Sequence, residues 1–203
     1  MSGLQLHQLR VAAVAKLVCD NFQKHVDTHE TILACLFHDM GNIIKSDLGT
    51  FPEFLEPEGL EYWQGVKIEF LKKYGDNAHK GNVAIAKEVG LSPSVIELID
   101  GISFSNLERI VADASFEQKI SEYADDRVGP HGILPISERL ADSRERYIGK
   151  GKTYNTPEGF EKLSRLALIL EQQIFAEARI KPEDINDATV GPLIEELRQY
   201  QVD

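Results

Sequence analysis

At 203 residues, 42% of them hydrophobic, the chain is long enough for one well-packed domain, or one domain with a helical extension. Its 22 basic and 33 acidic side chains leave a formal net charge of −11, which argues against a general nucleic-acid or anionic-membrane binder while leaving room for a small anionic substrate held through a cation. No apolar run approaches the ~20 residues that span a bilayer and MSGLQLHQLR lacks the pattern of a signal peptide, so a cytoplasmic protein is expected.

Hydrophobic spacing is helical nearly everywhere, with no β-branched run in period-two alternation, which predicts an all-α chain. A first helix is expected over residues 4–22. Val11, Val14, Val18 and Phe22 mark its buried stripe, and His7 lies one turn before Val11. Asp27 and Glu30 have capping-box spacing and open a second helix, whose apolar run Ile32 to Phe37 leads into His38 and Asp39, with Gly41 as terminator. Cys19 and Cys35 fall in these apolar patterns and read as reduced core thiols.

Residues 46–57, with two prolines, read as a loop directly after the His-Asp pair. Helices are expected again over 59–73 and 80–89, from the Ser92-Pro93 pair onward, and over 116–126. VGPHGILP, residues 128–135, is a loop, and 136–148 a charged helix. A second loop, GKGKTYNTP, precedes a long amphipathic helix opened by Thr156 and Pro157 and running to about Ala178. Pro182 starts a short segment and Pro192 a last helix ending near Tyr200. The region after Gly151 suits a lid, an oligomerisation surface or a buttress, and the long helix could pair with a copy of itself.

The strongest local oddity is His38-Asp39 at the end of an apolar run. An ionised carboxylate buried without a partner costs several kcal/mol, so Asp39 needs a cation or several donors. A metal supplies one, and imidazole is its commonest nitrogen ligand. His7 on the first helix could complete the meeting point. A fourth polar residue, Asp125, lies at the edge of the packed face formed by Phe116, Ile120, Tyr123 and Ala124. Taken singly, His7 reads as a core histidine and His38-Asp39 as a helix C-terminus with a solvated carboxylate. His25 and His29 have metal-pair spacing, but the cap at Asp27 separates them, leaving solvated surface.

Together, His7, His38-Asp39 in LACLFHDMGN and Asp125 in EYADDRVGPHG resemble the H…HD…D pattern of the HD superfamily of helical bundles, most of whose characterised members hydrolyse phosphate esters with a divalent metal. The resemblance implies an all-α HD-domain helical bundle over 1–150, with a C-terminal helical extension over 151–203 packed on the same domain. It implies one divalent transition metal (Mn, Fe, Co, Ni or Zn) on His7, His38, Asp39 and Asp125, and attack of metal-bound water on a small phosphorylated, nucleotide-like substrate. Asp39 would then also hold the water. Two-metal relatives carry a further histidine pair. His79 matches its first member and is expected near substrate or as an acid at the leaving group, but DGISFS, residues 100–105, lacks the second. Some nucleotide-specific relatives carry a glutamate where Asn42 stands. Asn42, Lys45, Arg127 and His131 are the expected substrate contacts, Arg127 for its planar fork. Arg144 and Arg146 could face the site or pair with local acids. The competing reading is a catalytically silent HD domain that binds metal or nucleotide as a regulatory module.

Overall fold

The computed structural model describes residues 1–147 and 156–202. Among the described residues ten α-helices carry the fold: α1 (Ser2–Asp20), α2 (Thr28–Phe37), α3 (Gly59–Tyr74), α4 (Ala78–Glu88), α5 (Pro93–Gly101), α6 (Leu107–Asp113), α7 (Phe116–Asp125), α8 (Ile136–Tyr147), α9 (Pro157–Phe175) and α10 (Asp187–Leu197). The only β-type pairings among the described residues are the isolated bridges Phe22–Ala178 and Val128–Ile133. The chain is all-α, as its periodicity predicts.

Helix starts follow local chemistry. The side chains of Asp27, Ser92, Ser115 and Thr156 each accept a hydrogen bond from a backbone N–H three residues on, satisfying a donor the helix cannot. The main core is built on α1, whose Val11, Val14 and Val18 are fully buried against α2, α7 and α10. Ile120 and Tyr123 of α7 and Leu170 and Ile174 of α9 join it, each apolar side chain contributing about 1.5–3 kcal/mol by leaving water. A second cluster, Leu33, Val95 and Ile99, fastens α5 to α2. A third, smaller one unites Ile43, Leu48 and Leu55 with Trp63, Val66 and Phe70 of α3. α3 itself has no buried residue and ends at Gly75, whose φ of 82° favours glycine.

The C-terminal helices share the main core, α9 through Phe160, Leu163 and Ala167 and α10 through Val190 and Leu197. The boundary expected at residues 150 and 151 and most of the GKGKTYNTP loop lie outside the described residues. Pro192 does not start the last helix but lies inside α10. The start is set earlier by Asn186, whose side chain accepts from the N–H groups of Ala188 and Thr189 while Thr189 Oγ1 accepts from Asn186 N. α6 has no counterpart in the sequence expectations.

Arg127 does not face the cluster as a substrate contact. It is 2% exposed, and its guanidinium is consumed by the protein. Nε donates to the Leu134 carbonyl, one terminal nitrogen to the Tyr123 hydroxyl and, at 3.2 Å, to the Pro182 carbonyl, and the other to the Ile185 carbonyl at 2.9 Å. Tyr123 in turn donates to Glu171 at 2.8 Å. A side chain expected to hold substrate instead ties α7, the loop after it, α9 and the segment before α10 together.

Candidate metal centre

Three elements bring the four predicted ligands together. α1 presents His7, α7 ends in Asp125, and α2 stops at Phe37 so that His38 forms its C-cap and Asp39 the following turn. His7 Nε2 lies 3.5 Å from Asp39 Oδ2 and 3.1 Å from Asp125 Oδ1; His38 Nε2 lies 3.6 Å and 3.4 Å from the same two oxygens. Each imidazole nitrogen therefore sits between two carboxylates. The donor atoms of His7, His38 and Asp39 lie within 4.8 Å of one another.

The two imidazoles are not equivalent. The His38 side chain is 2% exposed, whereas those of His7, Asp39 and Asp125 are 21%, 18% and 30% exposed, so the cluster is sealed behind His38 and reachable past the other three. His38 Nδ1–H donates to the Cys35 carbonyl at 2.8 Å, which fixes the ring and turns the Nε2 lone pair toward the carboxylates. That Nε2 is buried and lacks a hydrogen-bond partner. An orphaned imidazole nitrogen beside a second imidazole and two carboxylates is the donor set a divalent transition metal takes, and the residues present fit one.

Electrostatics reflect two imidazoles and two carboxylates crowded into one cluster. Burial alone would lower the pKa of His38, yet the nearby carboxylates of Asp39 and Asp125 push it up to about 9. Burial would raise Asp125, but the His38 and His7 imidazoles beside it hold it well below the usual carboxylate range. Its neighbour Asp126 is pushed up to about 7 by burial and by Asp125. Glu122, one turn earlier and 1% exposed, is raised well above its ordinary value by burial and then by Asp126 and Asp125; it accepts a hydrogen bond from Ser103 N at 2.6 Å.

The turn bearing Asp39 is set by contacts that sequence reasoning missed. Gly41 N donates to Asn82 Oδ1 of α4 at 2.6 Å, and Asn42 N donates to the Asp39 carbonyl at 3.0 Å. A Cβ on Gly41 would come within 2.9 Å of the Ala78 carbonyl and of Asn82. The signal was present in AHKGNVAIAKE, where Asn82 follows His79 by one helical turn. Arg10, one turn beyond His7, is the other omission. It donates to the Pro130 and His131 carbonyls at 3.4 Å and 3.0 Å and pins the loop that follows Asp125 to α1.

The remaining expected contacts are spread unevenly. Asn42 follows the His-Asp turn closely, and its Oδ1 is buried without a partner. Lys45 is exposed, because the chain leaves the turn as a short 3-10 segment, Asn42–Ile44, instead of a continued helix. His131 is exposed, its ring 5.6 Å from that of Phe51 and 5.7 Å from that of Phe54. His79 is not part of the cluster: its Nε2 pairs with Asp100 at 3.0 Å on an exposed edge. Asp100 occupies the segment where a second histidine is missing. Arg146 pairs with Asp142 on α8.

No helix among the described residues is long and apolar enough to cross a membrane. The family model of the HD domain matches residues 5–114, which covers His7, His38 and Asp39. No curated protein and no solved structure matches the chain. Asp125 lies beyond the matched residues, and its place in the cluster rests on its contacts with both imidazoles. Over more than half its length the chain thus carries the HD pattern on a helical fold, and it belongs to the HD domain family, a superfamily of metal-dependent phosphohydrolase type.

Proposed function

We propose that the protein is a metal-dependent phosphohydrolase acting on a small phosphate ester. The observation that carries this reading is the unpartnered His38 Nε2, facing His7, Asp39 and Asp125 in a cluster open on one side. Those four residues would hold one divalent ion. When bound, such an ion polarises a phosphoryl oxygen and lowers the pKa of water toward neutrality.

The protein's own groups supply the rest. The Cys35 carbonyl holds the His38 ring in one tautomer. Asn82, through Gly41, holds the turn that carries Asp39, and Asp39 in turn can accept a proton from the attacking water. Asn42, three residues after Asp39 with its Oδ1 unpartnered, and the exposed Lys45 would supply the polar and cationic contacts to the phosphate ester. In the reaction the water oxygen bonds to phosphorus as the ester oxygen leaves, and the proton released by water ends on the leaving alkoxide. Arg127 has no part in this, since its donors are spent within the fold. His79 is assigned no step, because Asp100 engages it outside the cluster.

The test is phosphate release from a panel of nucleotides and generic phosphomonoesters, using protein stripped of metal and reloaded with Mn, Fe, Co, Ni or Zn. Turnover that requires metal and vanishes in Asp39→Ala is the expected result. Metal bound at the cluster with no turnover on any substrate would replace this reading by the silent regulatory domain.

A further inference from the structure

Gly3, His7 and Arg10 are spaced i, i+4 and i+7 on α1 and share one face of it. Gly3 and Arg10 each receive a loop that leaves a ligand-bearing segment. The Phe54 ring, in the loop after the His38-Asp39 turn, lies against Gly3, where a Cβ would collide with it, and the Phe54 carbonyl accepts from the Ser2 hydroxyl at 3.3 Å. Arg10 holds the Pro130 and His131 carbonyls, in the loop after Asp125. The two loops then touch: the His131 ring lies 5.6 Å from that of Phe51 and 5.7 Å from that of Phe54, and the two phenyl rings stack at 5.1 Å. A bridge seated on position 3 and position 10 of one helix face passes the level of His7, whose side chain leans toward the N-terminal turn.

Among the described residues no hydrogen bond or ion pair runs between 46–57 and 128–135, so the bridge rests on ring faces and edges. Each loop is fixed at its own base instead. The Leu55 carbonyl accepts the Trp63 indole N–H at 3.0 Å, and Val128 bridges to Ile133. His131 is exposed, and Phe51 and Phe54 are half-buried. Ring pairs of this kind add only a modest increment to the area they cover, so the bridge parts easily while both bases stay in place.

We propose that Phe51, Phe54 and His131 form a gate over the His7 side of the cluster, and that an ion and a phosphate ester both enter by parting it. Entry of the ester rests on the phosphohydrolase reading; the gate itself does not. His131 thereby controls access to the cluster instead of serving as a ligand in it.

The gate is tested on metal-free protein with diethyl pyrocarbonate, which acylates accessible imidazole nitrogens, each histidine being read by peptide mass spectrometry. Exposed His25 is the reference, and His38, with its side chain 2% exposed, reports on the integrity of the fold. His7 is expected to react more slowly than His25 in the wild type. His131→Ala removes both ring contacts between the loops and raises the His7 rate about tenfold relative to His25. Gly3→Ala, which displaces the Phe54 ring without deleting one, raises it as well, whereas His131→Phe keeps a ring and restores the wild-type rate. His38 stays unlabelled throughout. A His7 rate unchanged in both His131→Ala and Gly3→Ala overturns the gate, and so does a rise matched by labelling of His38, because the whole cluster then opens at once. Labelling that responds as expected in a protein that releases no phosphate keeps the gate and removes the hydrolase reading instead.

Discussion

Replacing Arg127 by methionine separates a structural from a substrate role most sharply. The substitution keeps most of the volume and removes the guanidinium, leaving the carbonyls of Leu134 and Ile185 without its donors, the Pro182 carbonyl with only the Ile185 N–H and the Tyr123 hydroxyl with only Glu171. Each buried group left unsatisfied costs about 1–3 kcal/mol, so the two carbonyls that lose their donor cost roughly 4 kcal/mol together. Against a total stability of about 5–15 kcal/mol that is a large fraction. For a chain of this size it lowers the melting temperature by roughly 10 °C. Urea denaturation followed by circular dichroism measures it as a lowered midpoint with little change in slope. Arg127→Lys restores little of the loss, since one ammonium cannot reach acceptors on both sides of a planar fork. A destabilisation under about 1 kcal/mol, accompanied by a raised KM for phosphorylated substrate, would refute the structural assignment.

Three further outcomes are expected. Gly41→Ala places a Cβ within 2.9 Å of the Ala78 carbonyl and Asn82, so the turn bearing Asp39 must shift; metal affinity falls together with about 1–3 kcal/mol of stability, as read by metal titration and thermal melting. Glu122→Gln stabilises the protein at pH 7 and leaves it unchanged at pH 4: the folded-state pKa of Glu122 is raised above its ordinary 4.5, so the unfolded chain releases this proton first and wild-type stability declines as pH rises past 4.5, by up to about 1.4 kcal/mol per pH unit. Urea midpoints at the two pH values check it, and a variant less stable than wild type at pH 7 contradicts it. The Cys19 thiol, pushed up to about 12 mainly by burial, reacts with thiol reagents in the folded protein far more slowly than after unfolding; equal rates in the two states would count against the packing of α1.

What could be read from the sequence was what local chemistry encodes. Asp27, Ser92 and Thr156 announce helix starts because a cap acts on backbone only three residues away. His7, His38, Asp39 and Asp125 stood out because polar groups interrupt apolar faces, and the structure brings each imidazole nitrogen to 3.1–3.6 Å from both carboxylates. Direction was not legible. Arg127 follows Asp125 by two residues, but the chain turns at the end of α7 and sends it into the core, toward acceptors near residues 134, 182 and 185. Pro192 mimics a first-turn proline, yet the Asn186 cap and the buried Val190 and Leu197 outweigh the lost bond and keep it within a helix. Asn82 and Arg10 were missed for the same reason: each acts on a distant backbone group, Gly41 and residues 130 and 131, that no spacing rule connects to it.

The central claim is that His7, His38, Asp39 and Asp125 bind one divalent ion. Equilibrium dialysis against Mn²⁺ or Zn²⁺, with metal content measured per chain, tests it in the wild type and in His7→Ala, His38→Ala, Asp39→Ala and Asp125→Ala. About one ion per chain in the wild type is expected, with a large loss in every variant that keeps its helical circular dichroism. A wild type that binds no ion, or folded variants that retain it in full, would contradict the claim.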